Sequence, residues 1–234
     1  MTAPVIHRVT TLDLKVRTAT WPFAQARRAE IDAHFAERQR ERPKLWNGRV
    51  LIGRNPLFAG ARFAADYFEV DFASFLAWRD WGFADRDVFN GFGMGALRAS
   101  DGAFVLGEMA QHTANAGRIY FPSGTPDPDD VVNSAVDIAR SVEREIFEET
   151  GLAKSDYSAA PHWDCVVAGA LIAIIRTLHV DLPGEVLREK ILENLARQRH
   201  PELSAIHLVR DVSDFTSAMP RFATAFLEAR FSSP

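Results

Sequence analysis

The segment Arg-Glu-Ile-Phe-Glu-Glu-Thr-Gly-Leu, residues 144–152, constrains the chain most, because as a helix it gathers three carboxylates on one side. At about 100° per residue, Glu145 and Glu149 lie about 40° apart around the helix axis, and Glu148 lies about 60° to the other side. Like charges at this spacing repel one another and weaken a helix. A bound divalent cation would remove the repulsion. Carboxylate ligands without histidine or cysteine nearby favour Mg²⁺ or Mn²⁺ over zinc.

The same helix carries an apolar surface that predicts packing against a sheet. Its apolar residues are Ala135, Ile138, Ala139, Val142 and Ile146. Gly151 can adopt the left-handed backbone conformation that ends a helix. Arg144 and Glu148 stand four residues apart, and the planar guanidinium is expected to orient the carboxylate. The prediction is an amphipathic helix with an acidic edge.

This segment resembles the second half of the Nudix box, Gly-x5-Glu-x7-Arg-Glu-U-x-Glu-Glu-x-Gly-U, in which U is aliphatic. The matching residues are Arg144, Glu145, Ile146, Glu148, Glu149, Gly151 and Leu152. The first half departs from the pattern, because its glutamate falls on Val136 and its glycine falls on Asp130. A glycine in a suitable context, Gly124, stands six residues earlier, after a predicted strand. The loop before the helix is therefore expanded.

Nudix proteins are α/β/α sandwiches that use Mg²⁺ or Mn²⁺ to hydrolyse a nucleoside diphosphate linked to another moiety. The resemblance implies that Glu145, Glu148 and Glu149 hold the metal. It also implies that Arg144 supports these ligands and that the backbone of Gly124 adds a carbonyl ligand. The valine at position 136 removes a carboxylate that helps the metal network of the family, which leaves the number of metals open.

The expected chemistry is attack of a metal-bound water on the diphosphate, with a carboxylate accepting the proton of the water. Glu145 is the first candidate for this base, assisted by Arg144, and Glu108, outside the motif, is the second. The competing interpretation is a solvated acidic helix face. The fixed order of arginine, glutamates and glycine, with Ile146 and Leu152 in register, favours the metal site.

Composition and charge limit the partners. The chain has 234 residues, 47% of them hydrophobic, and a net charge of −4. This charge argues against a nucleic-acid polymer or an anionic membrane as the partner and favours a small nucleotide conjugate. The single cysteine, Cys165, is predicted to be a buried thiol and not a catalytic one. Neither a secretory signal nor a membrane-spanning segment is evident, so cytoplasmic residence is expected.

The order of predicted elements indicates an α/β fold: a Nudix-like α/β/α sandwich with a mixed sheet, residues 88–234, preceded by an N-terminal extension, residues 1–87. The glycine-rich run at residues 91–95 lacks the spacing of a dinucleotide-binding loop and is predicted to serve strand packing. Later predicted elements are a long strand at Asp164–Val180 and helices at Gly184–Arg197 and Arg221–Phe231.

The N-terminal extension is longer than a small nucleotide requires, which favours a bulky conjugate such as a nucleotide sugar. It is expected to cap the site and read the conjugate, while a role in stability or in a homodimer surface is the alternative. Gln111, His112 and Asn115, in a predicted loop, are candidate substrate contacts, although ordinary turn residues would look the same.

Two other functions stay open. The first is hydrolysis of coenzyme A or its thioesters, which would need a basic pocket for a 3′-phosphate, and no local cluster of Lys and Arg marks one. The second is a non-catalytic nucleotide-binding or regulatory module, which the valine at position 136 supports.

Overall fold

The computed structural model describes residues 3–232 as strands alternating with helices. The strands are β1 (Val5–Val9), β2 (Thr11–Val16), β3 (Arg49–Ala59), β4 (Arg62–Asp71), β5 (Val88–Arg98), β6 (Phe104–Met109), β7 (Ile119–Tyr120), β8 (Ser123–Gly124), β9 (Val131–Val132), β10 (Ala135–Val136), β11 (Ser158–Ala159), β12 (Trp163–Ala168), β13 (Leu171–His179) and β14 (Leu203–Val209). The helices are α1 (Pro22–Ala26), α2 (Arg28–Glu41), α3 (Phe72–Asp80), α4 (Ile138–Thr150), α5 (Gly184–Arg197) and α6 (Arg221–Phe231). The predicted α/β class is confirmed.

The elements belong to two units, neither of which is continuous in sequence. The first unit comprises the residues up to Thr10, Phe92–Gly124 and the chain from Ile138 onward, and the second comprises Thr11–Gly91 and Thr125–Asp137. These units describe packing. The predicted division into an N-terminal extension, residues 1–87, and a hydrolase core, residues 88–234, concerns function and stays a prediction. Residues 1–2 and 233–234, at the two ends of this division, lie outside the described part of the chain.

The second unit contains a mixed sheet with helices packed on one another beside it. Its strand order is β9-β10-β2-β4-β3, and β3 also pairs with the start of β5. β2 and β4 run parallel, whereas the other neighbours in this order are antiparallel. Ile31 and Phe35 of α2 share a buried cluster with Leu76 of α3. The predicted mixed sheet is confirmed here.

The first unit has helices on both faces of its sheet. Side chains alternate along β5, so neighbouring residues face opposite sides. A Cβ at Gly95 would lie 2.6 Å from Ile146 of α4. On the opposite face, the ring of Phe92 meets Phe222 of α6 edge to face, with centroids 5.4 Å apart. The predicted α/β/α sandwich is therefore confirmed for this unit, as is the packing role of the glycine-rich run.

Two sequence-based boundaries were wrong. The strand predicted at Asp164–Val180 is the hairpin β12–β13, because Gly169 adopts a φ of 68° and the chain reverses there. Ala135, predicted on the apolar side of the acidic helix, lies in β10, and the helix begins at Ile138. The helices predicted at 184–197 and 221–231 are present with those bounds.

β1 lies at a long sequence distance from the strand with which it pairs. It runs antiparallel to β12, with Val5 opposite Val167. Across this pair, Arg8 Nε lies 3.2 Å from Asp164 Oδ1, and the carboxylate is almost fully buried.

No helix in the described range, 3–232, is long and apolar enough to cross a membrane.

Cys165 is inaccessible in β12. Burial, followed by the negative charge of Asp164, raises the pKa of the thiol to about 12. Because the thiolate is the reactive form, we expect the folded protein not to react with a disulfide reagent such as dithionitrobenzoate near neutral pH. The same protein in guanidinium should release one equivalent of thionitrobenzoate per chain. Stoichiometric reaction in the native state, followed by absorbance, would contradict the buried thiol.

Candidate metal centre

The predicted acidic helix is α4, which ends where the sequence predicted. Gly151 has a φ of 75°, and its N–H donates to the carbonyl of Phe147 at 2.8 Å. Val142 and Ile146 are buried, which fixes one side of the helix against the sheet. The last turn of α4 therefore presents its glutamates from a fixed backbone.

Glu149 is the most unusual of these glutamates. It is only 3% exposed, and its Oε2 has no hydrogen-bond partner among the described residues. Burial, and then the negative charge of Glu145, raises the pKa of Glu149 well above its usual range, while a hydrogen bond from the backbone of Ser123 opposes the shift. A buried carboxylate oxygen without a partner is costly. A divalent cation would satisfy it.

Gly124 and Glu145 come into contact although one is in a strand and the other in a helix. Gly124 of β8 pairs with Gly93 of β5, which places it on the side of the sheet that meets α4. A Cβ at Gly124 would overlap the carboxylate of Glu145, so only glycine permits this approach. The carboxylate and the backbone that were predicted to share a metal are thus neighbours.

Arg144 bridges two of the predicted ligands. Its Nη1 lies 2.9 Å from Glu145 Oε1 and 3.6 Å from Glu148 Oε2. The second contact is the predicted pair between residues four apart. Because the guanidinium is partly exposed, the pair contributes little to stability. Its effect is to hold the two carboxylates side by side.

The carboxylates of α4 do not form a complete set of metal ligands in this structure. Within residues 3–232, no group of three or more His, Cys, Asp or Glu has the geometry to hold a metal ion. The side chain of Glu145 is 13% exposed and that of Glu148 is 58% exposed, so Glu148 can change rotamer without disturbing the packing. With the unpartnered oxygen of Glu149, this all-oxygen donor set fits a hard cation such as Mg²⁺ or Mn²⁺. Metal binding itself stays a prediction.

The predicted substrate residues lie in the loop between β6 and β7. Gln111 and His112 are exposed, and Asn115 Nδ2 donates to the Tyr120 hydroxyl at 2.9 Å. Their role in binding a substrate stays a prediction.

Val136, at the position of the missing motif glutamate, is buried in β10.

Glu108 is not placed to act as the base. Leu97 lies on the face of β5 that meets α4 and pairs with Val105 of β6. Alternation from Val105 puts Glu108 on the opposite face of the sheet. Its Oε2 lies 2.9 Å from His207 Nε2. The second candidate for the base is therefore wrong, because one step along a strand reverses the direction of a side chain.

Two residues near the site were missed from the sequence. Gln198, just after α5, donates from Nε2 to the carbonyl oxygen of Glu148 at 2.8 Å. The negative charge of Glu202 also raises the pKa of Glu149. Both residues lie about fifty positions beyond α4, and no local pattern signals such a contact.

Comparison with known proteins gives a fold likeness only. No protein-family model and no protein of curated function matches this sequence. RenU, a Nudix hydrolase from M. smegmatis, is 16% identical, and the match covers 63% of this chain and 91% of that one with a TM-score of 0.41. The MutT protein from Methanosarcina mazei is 16% identical over 62% of this chain and 96% of that one, with a TM-score of 0.35.

A third structure is a bifunctional NMN adenylyltransferase/ADP ribose pyrophosphatase from Francisella tularensis, in complex with AMP and a manganese ion. It is 12% identical, with a TM-score of 0.40, and the match covers 67% of this chain and 46% of that chain. At these identities and scores, the three likenesses do not establish a family for this protein.

Proposed function

We propose that this protein is a Nudix-type pyrophosphohydrolase that uses Mg²⁺ or Mn²⁺ to cleave the pyrophosphate bond of a nucleoside diphosphate linked to another moiety. The observation that carries the proposal is the buried Oε2 of Glu149, which has no hydrogen-bond partner among residues 3–232. It lies in the last turn of the helix whose residues 144–152 match the motif. A solvated acidic face would leave all of its carboxylates in water, whereas this one is buried.

The proposed roles follow from the contacts. Glu149 is buried, and the carboxylate of Glu145 lies against the backbone of Gly124, so these two form the least mobile part of the proposed ligand set. Glu148 completes it by rotating from solvent. A bound cation would neutralise the diphosphate and lower the pKa of a coordinated water. Glu145, which Arg144 Nη1 orients from 2.9 Å, would accept the proton of the attacking water.

We propose a nucleotide sugar as the substrate, because a large segment of the chain lies outside the motif and its neighbouring strands. Coenzyme A or an acyl-coenzyme A is the alternative substrate class. A non-catalytic nucleotide-binding module is the alternative without chemistry.

One substrate panel separates these functions. Nucleotide sugars, dinucleotide polyphosphates and coenzyme A would each be incubated with the protein and Mg²⁺, and a phosphatase would then release inorganic phosphate from the phosphomonoester products. We expect phosphate from nucleotide sugars, dependent on both proteins. Because the phosphatase alone removes the 3′-phosphate of coenzyme A, only phosphate beyond a phosphatase-only control counts for that compound. Such an excess from coenzyme A, and from no other conjugate, would select the alternative substrate. No release from any conjugate, with nucleotide binding still measurable by calorimetry, would contradict hydrolysis.

A further inference from the structure

The second unit contains a cavity of its own, with a volume of about 430 Å³. The end of β2 and the residues after it, the first residue of β3, one residue of β4 and the hairpin between β9 and β10 line it. Its polar side chains include those of Arg17, Thr18, Arg49, Glu69 and Ser134. The volume lies within the range of sites that bind small molecules.

Backbone hydrogen bonds fix the segments that line this cavity. The N–H of Val16 donates to the carbonyl of Ser134 at 2.8 Å, and the N–H of Arg17 donates to the carbonyl of Tyr67 at 2.8 Å. Asn133 and Ser134 have φ values of 50° and 61°. A two-residue hairpin turn with positive φ at both positions follows the twist of its strands. The cavity is therefore formed before any ligand binds.

The charged side chains of the lining are already paired. Arg49 Nε lies 2.5 Å from Glu69 Oε1, and Arg17 Nε lies 3.4 Å from Asp66 Oδ1. The side chains of Arg49 and Glu69 are 51% and 45% exposed, so this pair contributes little to stability and can open for a ligand. Because the guanidinium groups have carboxylate partners and Glu69 would repel an anion, the lining favours an uncharged polar ligand.

The hydrogen-bonding groups of the lining match a ring that carries several hydroxyls. A guanidinium only donates and a carboxylate only accepts, whereas the hydroxyls of Thr18 and Ser134 do both. Each hydroxyl of a sugar can also donate and accept, so one ring can satisfy all of these groups. Val16 and Val131 add apolar surface for the C–H groups of the ring.

We propose that this cavity binds a sugar ring, with Glu69 accepting hydrogen bonds from the ring hydroxyls and with Thr18 and Ser134 adding further contacts. The sugar is either free or the glycosyl part of a nucleotide sugar, because both present the same hydroxyl groups. The inference goes beyond the proposed function, since such binding requires neither a divalent metal nor hydrolysis.

The test is saturation-transfer difference NMR on the full-length protein in chelator, so that metal-dependent hydrolysis cannot consume a ligand. Glucose, galactose, mannose, ribose and ADP-glucose would each be added in excess. We expect transfer from the protein to the ring protons of at least one free sugar, or to the glucosyl protons of ADP-glucose. Absence of transfer to the sugar protons of all five ligands would overturn the proposal.

Two substitutions assign the binding to this cavity. Thr18→Val keeps the shape of the side chain without its hydroxyl, and Glu69→Gln keeps the size without the charged acceptor. Both residues are exposed, so neither change should unfold the protein. We expect each to raise the dissociation constant of the sugar about fivefold or more, the scale of one lost hydrogen bond. Unchanged dissociation constants in both variants would overturn the proposal.

Matched controls lie in the same unit. Thr20→Val changes an exposed threonine two residues further along. Glu30→Gln changes a glutamate that, like Glu69, forms an exposed pair with an arginine, in its case Arg27. Both controls should bind the sugar like the wild type. An equal loss of affinity in the controls and in the cavity variants would contradict the assignment to this cavity.

The two kinds of ligand separate the two sources of the sugar. Transfer to a free sugar that weakens in the cavity variants assigns the cavity to free sugars. Transfer only to the glucosyl protons of ADP-glucose, with the same weakening, assigns it to a nucleotide sugar. Hydrolysis of nucleotide sugars without any sugar binding at this cavity would overturn this inference alone. Sugar binding without hydrolysis of any conjugate would contradict only the proposed function.

Discussion

Glu149→Gln is expected to lower Mg²⁺-dependent turnover at least about a hundredfold, the scale seen when one key electrostatic group is removed from an active site. The amide keeps the size and helix propensity of the side chain, but it is a weaker ligand without charge. Glu143→Gln is the matched control, since Glu143 lies in the same helix and pairs with Lys154 at 2.5 Å. The control should retain wild-type turnover. Wild-type turnover in Glu149→Gln would show that the metal binds elsewhere.

The same variant should have the opposite effect on the stability of the metal-free protein. The pKa of Glu149 is raised, first by burial and then by Glu145. Its contribution to stability is therefore fully present below the pKa of glutamate in the unfolded chain, and it is lost as the pH rises through the raised value in the folded state. Glutamine stays neutral throughout.

We therefore expect the melting temperature of metal-free Glu149→Gln to match the wild type in acid and to equal or exceed it above the raised pKa. Thermal denaturation in chelator, followed by circular dichroism across this pH range, measures the difference. A lower melting temperature for the variant at the upper end of the range would mean that the ionised carboxylate stabilises the fold, contrary to its burial without a partner.

Removing divalent metal is expected to abolish hydrolysis of every accepted substrate. Glu145, Glu148 and Glu149 carry the same sign of charge as a diphosphate, and the one cation beside them, Arg144, is already paired with Glu145 and Glu148. The positive charge that the reaction needs must therefore come from a metal ion. Excess chelator should stop product formation, and Mg²⁺ or Mn²⁺ added beyond the chelator should restore it. Products should be separated by chromatography, because a coupling phosphatase is itself inhibited by chelators. Full turnover in chelator would contradict the proposed chemistry.

The sequence predicts the acidic helix well because its determinants are local. The spacing of Val142 and Ile146 sets the buried side, and Gly151 sets the end, without reference to the rest of the chain. Gly124 was found through the motif, although the expanded loop displaced it from the expected position. Its contact with Glu145 depends on pairing between β8 and β5, which spacing alone does not specify.

Other features depend on tertiary structure or on a single backbone angle. Gly169 divides one apolar run into two strands, and an apolar run has no alternation that would reveal the turn. Glu108 was the second candidate for the base, but strand alternation directs its side chain away from α4. Gln198 and Glu202 approach α4 only when α5 and β14 are in place. Hence the sequence reveals the motif but not the residues that surround it.

The pairing of β1 with β12 bears on how the chain is made. Arg8 and Asp164 are 156 residues apart, so the edge of this sheet cannot close until most of the protein has left the ribosome. At the usual rates of synthesis this delay is on the order of ten seconds. During that time β1 has no partner, because β12 has not yet been made. Contacts of such long range slow folding, so the earliest-made strand of this sheet should pair with β12 later than β13 does, since β13 follows β12 directly in the chain.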